Sequence, residues 1–210
     1  MDNIKWIFFD IGSTLVDETK CYKRRFEEAV KNTDITYEEF ENKVIEFSKR
    51  NLKGDHEAVK YYNLSLPKWH NELEILYPEA KSVLKKLKEK GFKLGIIANQ
   101  SLGTKERLRS RGILKYFDVV AASAEEGVAK PDLKLFEAAL KRTECKPQNA
   151  VMVGDRLDND IVPAHKIGMK TIWIKQGFSE YSTPQNKYEN ADFVVVNLNQ
   201  VLHIFEMYWN

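Results

Sequence analysis

Four places in this 210-residue sequence put reactive side chains just behind short apolar runs. Asp10 follows residues 4–9, and Asn99, Gln100 and Ser101 follow residues 94–98. Lys130 lies in the loop after residues 117–122, while Gly154, Asp155, Asp158 and Asp160 come after residues 150–153. Carboxylates from two strand ends with a lysine between them describe a site for a hard cation and an anionic ligand. Oxygen donors suit magnesium, which usually keeps several waters and completes its shell with substrate phosphate. The lysine would offset the crowded negative charge. Taken singly, Asp and Asn at such places cap helices or hold turns. Repeated at successive strand ends, they read as a site.

That reading requires the runs to be neighbouring strands whose ends face one way. Six runs, residues 4–9, 94–98, 117–122, 150–153, 171–174 and 193–196, are apolar on both faces, as in a parallel sheet covered by helices on both sides. Helical patterns lie between several of them, such as Ala80, Val83, Leu84 and Leu87, stopped by Gly91. The alternation predicts an α/β fold with a doubly wound parallel sheet, in which ligands collect at the carboxyl ends of the strands. Residues 17–78 break the rhythm. Tyr22, Phe26, Ala29 and Val30, then Tyr37, Phe40, Val44 and Phe47, are spaced for helical faces, and Pro67 and Pro78 punctuate the return to strands. A small helical insertion after the first strand is expected.

Composition narrows the partners. Apolar residues make up 43% of the chain, enough for a real core, and Lys plus Arg (33) nearly cancels Asp plus Glu (31). Nothing in that balance argues for nucleic acid or an anionic membrane. The start of the chain has no signal-like character, and no apolar run approaches the ~18 residues of a membrane span, so a cytoplasmic protein is expected. Cys21 and Cys145 lack metal-ligand spacing and are expected to be free thiols. His56, His70, His165 and His203 show no ligand spacing either.

Read together, the motifs resemble the haloacid dehalogenase-like hydrolase superfamily over nearly the whole chain. "FFDIGSTL" is similar to its first motif, "LGIIANQS" to the second, the lysine of "GVAKPDLKLF" to the third, and "VMVGDRLDNDIVPAHKIGM" to the fourth. The resemblance implies a Rossmann-like core built from residues 1–16 and 79–210, with strand order 5-4-1-2-3, and a small all-α cap at residues 17–78. It implies that Asp10 is a nucleophile forming an aspartyl phosphate. Magnesium would be held by Asp10, the Gly12 backbone carbonyl, Asp155 and Asp160. Lys130 would neutralise the nucleophile and the transferring phosphoryl group.

Three positions depart from the phosphatase pattern. Gly12 stands in place of the aspartate that protonates the leaving group and then activates water, a role worth roughly 10²–10⁴-fold in rate. Ala98 replaces a frequent Ser or Thr, leaving Asn99, with Ser101 as a substitute if the loop bends inward, to meet the phosphoryl group. Arg156 replaces a frequent Ser and is a candidate grip on a substrate anion, the plainer alternative being a salt bridge. Asp17 and Glu18 leave the core near the mouth of the site, where either is a candidate to replace the missing acid, but "DETK" before a helical face favours a helix start, with Asp17 as cap and Glu18 in the first turn. The expected function is a magnesium-dependent phosphatase of a small phosphorylated metabolite. The alternatives are a carbon–halogen or carbon–phosphorus hydrolase and a non-catalytic homologue that binds a phosphorylated ligand or a protein.

Overall fold

Side chains alternate across each central strand, and that alternation divides the core in two. In the computed structural model, which describes residues 3–209, the chain begins with β1 (Trp6–Phe9), then β2 (Val16–Asp17). Helices α1 (Thr19–Val30), α2 (Tyr37–Ser48) and α3 (Gly54–Tyr61) follow, and β3 (Ile75–Leu76) closes the excursion by pairing antiparallel with β2. The remainder runs α4 (Ala80–Glu89), β4 (Lys93–Ala98), α5 (Thr104–Ser110), β5 (Val119–Ala122), α6 (Ser123–Glu126), α7 (Leu133–Arg142) and β6 (Ala150–Gly154). A π-helical turn (Leu157–Ile161) leads into α8 (Val162–Lys166), and β7 (Lys170–Ile174), β8 (Phe193–Val195) and α9 (Leu198–Tyr208) complete the chain.

The main sheet is parallel, in the order β5-β4-β1-β6-β7-β8. This is the expected five-strand order with a sixth strand added beside β7. Ile7 and Phe9 of β1, Leu94 and Ile96 of β4, and Val151 and Val153 of β6 join the apolar cluster under α4 and α9. Alternate residues on the same strands, Phe8, Ile97 and Met152, face the opposite cluster with Leu135, Phe136 and Ala139 of α7. All of these are under 2% exposed, which is why the strands read as unbroken apolar runs. Gly95 leaves room for Phe8 of the neighbouring strand, since a Cβ there would meet the Phe8 ring at 2.5 Å.

Helices α1 to α3 form a cap with its own core of Phe26, Phe40, Val44 and Val59. A capping box at Thr36 and Glu39 starts α2. One ring in this core comes from far along the chain: Phe178, in the 3₁₀ turn Gly177–Tyr181 after β7, lies 5.0 Å from Tyr22 and 5.4 Å from Phe26, ring centre to ring centre. Both cysteines are free. His165 ties α8 to the segment before β8. Its Nδ1 meets the Tyr188 carbonyl at 2.9 Å and its Nε2 meets Asp192 Oδ2 at 3.2 Å. No helix among the described residues is long and apolar enough to cross a membrane.

Candidate active site

The carboxyl ends of β1, β4 and β6 open into a cleft of about 430 Å³ between core and cap. Asp10 extends the β1 ladder by donating its backbone N–H to the Val153 carbonyl at 2.9 Å, which sets its side chain at the sheet's edge. Lys130 arrives from the loop after α6 and is 5% exposed. Its Nζ donates to Asp10 Oδ1 at 2.6 Å, to Asp160 Oδ1 at 2.5 Å and to the Ile97 carbonyl at 3.0 Å. Burial works against the ammonium charge, but Asp10 and Asp160 outweigh it and hold the pKa above the ordinary lysine value.

Asp160 is carried into the cleft by the π-helical turn, and Gly154 leaves it room, because a Cβ there would collide with the Asp160 carboxyl. Asp160 Oδ2 accepts the Arg156 backbone N–H at 3.0 Å. Asp155 Oδ2 accepts the Ser179 hydroxyl at 2.6 Å, and the Asp155 carbonyl accepts Trp173 Nε1 at 2.6 Å. Asp10, Asp155 and Asp160 are all buried, and each offers a carboxylate oxygen within 4.8 Å of the others. Burial, reinforced by the neighbouring carboxylates, pushes Asp155 and Asp160 above their ordinary range, with Lys130 working the other way at Asp160. Three carboxylates thus face one ammonium. Both the surplus negative charge and the all-oxygen donor set fit a hard divalent cation.

The other expected residues take varied places. Gly12 lines the cleft beside Asp10. Asn99 also lines it, with both side-chain ends engaged by the Lys130 backbone: Oδ1 accepts its N–H at 2.7 Å and Nδ2 donates to its carbonyl at 2.9 Å. Ser101 is exposed and outside the cleft lining, its carbonyl accepting from Thr104 Oγ1 and Arg107 Nη2; Gln100 reaches the cleft in its stead. Arg156 lines the cleft in a two-pronged pair with Asp158, at 2.9 Å and 2.5 Å.

The start of α1 differs from the sequence reading. Asp17 belongs to β2, its Oδ1 accepting the Thr19 N–H at 2.8 Å, and Glu18 takes the N-cap position without using its side chain as a cap. That side chain turns into the cleft instead, where the Ser13 hydroxyl donates to Oε2 at 2.8 Å. A Cβ on Gly12 would lie 2.5 Å from Glu18 Oε1, so the glycine leaves the space that this carboxyl fills. Burial pushes the Glu18 pKa up to about 8; the Ser13 bond pulls it down, while Glu74, Asp10 and Asp55 add to the rise. Gly12, a missing side chain two residues after Asp10, is the signal that brings Glu18 forward as a candidate, and its local sequence is what favours the helix-start reading instead. Ser179, which holds Asp155, had no signal, because only β7 and the turn after it bring residue 179 to the end of β6.

A capped parallel sheet whose strand ends gather acids around a buried lysine defines a class: α/β hydrolases of the haloacid dehalogenase-like kind. The haloacid dehalogenase-like hydrolase profile matches residues 7–174. A glyceraldehyde 3-phosphate phosphatase of Pyrococcus furiosus is 32% identical, with 98% of this chain and 95% of that protein aligned. A glyceraldehyde 3-phosphate phosphatase of Methanocaldococcus jannaschii is 33% identical over 96% of each chain. Among solved structures, the HAD phosphatase of Thermococcus onnurineus superposes with a TM-score of 0.65 at 26% identity, covering 96% of this chain and 98% of its own. The chain belongs to the haloacid dehalogenase-like hydrolase family, and within it to the phosphatases.

Proposed function

We propose that this phosphatase hydrolyses a small phosphorylated sugar of the size of glyceraldehyde 3-phosphate, using magnesium and an aspartyl phosphate formed on Asp10. The carrying observation is the Lys130 ammonium that bridges Asp10 and Asp160, with Asp155 alongside. Two relatives aligned over nearly their full lengths bear the glyceraldehyde 3-phosphate phosphatase name, which supports the substrate class.

In this reading Asp10, Asp155, Asp160 and the Gly12 backbone carbonyl hold the cation. Magnesium would supply charge stabilisation to the phosphoryl oxygens as they transfer. Asp10 attacks phosphorus with one carboxylate oxygen, displacing the sugar alkoxide, and Lys130 offsets the negative charge that gathers over the phosphoryl group. Ser179 keeps Asp155 oriented by its hydrogen bond. Asn99 fixes the Lys130 backbone, so the ammonium is already in place when substrate arrives. Polar groups on the cap wall, Lys53 among them, line the space that a ligand of few carbons would occupy.

The test is phosphate release from glyceraldehyde 3-phosphate and a panel of other phosphomonoesters, with and without magnesium, comparing the native protein with Asp10→Asn. Turnover that needs the metal and disappears in Asp10→Asn is expected. Unchanged turnover in Asp10→Asn, or none across the panel, would overturn the reading.

A further inference from the structure

Cleaving an alkyl phosphate ester creates an alkoxide, and a site that works at neutral pH must deliver a proton to it. Six acids line the cleft, and five have other employment. Asp10, Asp155 and Asp160 make the cation cluster. Asp158 is paired with Arg156, and Asp55 with Arg25 at 2.6 Å. Glu18 is the sixth. Among the described residues it makes no ion pair, and its side chain is held by a single hydroxyl, from Ser13. One carboxyl oxygen is thus anchored while the other, Oε1, rests over the bare Gly12 backbone, in space that any side chain at position 12 would contest.

We infer that Glu18 is the proton donor and acceptor of the reaction, reaching from the start of the cap into the gap left by Gly12. This rests on the phosphatase reading above and supplies the group that reading lacks. In the first step an Asp10 oxygen bonds to phosphorus, the bond from phosphorus to the sugar oxygen breaks, and the Glu18 carboxyl gives its proton to that oxygen, releasing an alcohol. In the second, the Glu18 carboxylate takes a proton from water as the water oxygen bonds to phosphorus. The bond from phosphorus to Asp10 breaks, inorganic phosphate leaves, and Glu18 is again protonated. Ser13 serves as a positioning residue, holding Oε2 so that Oε1 faces the reacting atoms.

The experiment compares the native protein, Asp10→Asn and Glu18→Gln on two esters, an alkyl phosphate and p-nitrophenyl phosphate, whose phenolate leaves without a proton. For Glu18→Gln the alkyl ester should lose roughly 10²–10⁴-fold in kcat. The aryl ester should give a burst of about one equivalent of nitrophenolate and then stall, because attack on phosphorus survives while water activation does not. Magnesium affinity, titrated with the metal alone, should stay within about twofold of native, since the proposal gives Glu18 no bond to the cation. Because Gln matches Glu in shape, folding is preserved. As a second check, the pair Gly12→Asp with Glu18→Ala should turn over the alkyl ester faster than Glu18→Ala alone, the new carboxyl entering vacated space. Equal losses on both esters without a burst, no loss on either, or weakened magnesium binding would overturn the role of Glu18 while leaving an Asp10-dependent phosphatase standing. A native protein inactive on both esters would overturn both readings.

Discussion

Asn99 and Lys130 hold each other through two hydrogen bonds, each supplied on one side by the asparagine amide and on the other by the lysine backbone. The asparagine therefore acts on the chemistry through the lysine. Its amide is the reason that the loop after α6 delivers an ammonium to Asp10 and Asp160 in one fixed orientation.

Asn99→Ala removes both bonds and leaves every charged group in place. We expect kcat to fall about tenfold, equivalent to about 1.4 kcal/mol of transition-state stabilisation, with KM changing less. A thermal midpoint that drops while kcat stays native would show that the clasp serves folding alone.

Lys130→Met should be more damaging. It leaves Asp10, Asp155 and Asp160 buried without their ammonium, and breaking a buried pair in this way costs about 3–5 kcal/mol. Magnesium should recover more stability in this variant than in the native protein, because the cation then neutralises what the lysine no longer does. Chemical denaturation with and without the metal measures both effects; a midpoint unmoved in the metal-free variant would contradict the prediction.

The His165 clamp should give stability a pH dependence of predictable sign. The hydrogen bond to Asp192 raises the His165 pKa above the ordinary 6.5, with burial opposing it and the Tyr188 carbonyl assisting. Folding therefore binds this proton more tightly than the unfolded chain does. The contribution is complete below the unfolded value and is lost as pH rises through the folded one. Asp192 runs the other way: burial raises its pKa, but bonds from His165, the Thr171 N–H and Lys170 overcome this and hold it below the ordinary 3.8, so its contribution disappears in acid. The clamp is tightest between those two ordinary values. His165→Gln should flatten the loss of stability above about pH 6.5 seen in urea midpoints of the native protein; an equally steep loss in the variant would place its origin elsewhere.

The sheet was legible because its inner strands β1, β4, β6 and β7 are buried on both faces, and such strands carry an unbroken apolar run ending at a polar residue. The acidic cluster was legible for the related reason that Asp10 and Asp155 stand at those ends. Glu18 was not. Locally, "DETK" has the composition of a helix start, and the helix does begin there, one residue later than the pattern suggested. What turned the glutamate inward was the empty space at Gly12 and the Ser13 hydroxyl, and neither is a property of residues 17–20. The loop after β4 misled in the same way. Ser101 has suitable chemistry, but the carbonyl of that residue is drawn to Arg107 and Thr104 of α5, which leaves its side chain in solvent.

Phe178 and Ser179 are consecutive residues with separate allegiances. The phenylalanine is embedded among the rings of the cap, whereas the serine grips Asp155 at the sheet. Any rotation of the cap pulls on the first, and one peptide unit transmits that pull to the second. With Asp155 in the cation-binding role proposed above, admission of substrate and retention of the metal are geared to each other: a cap that opens would also slacken Asp155, and one that closes would draw it taut.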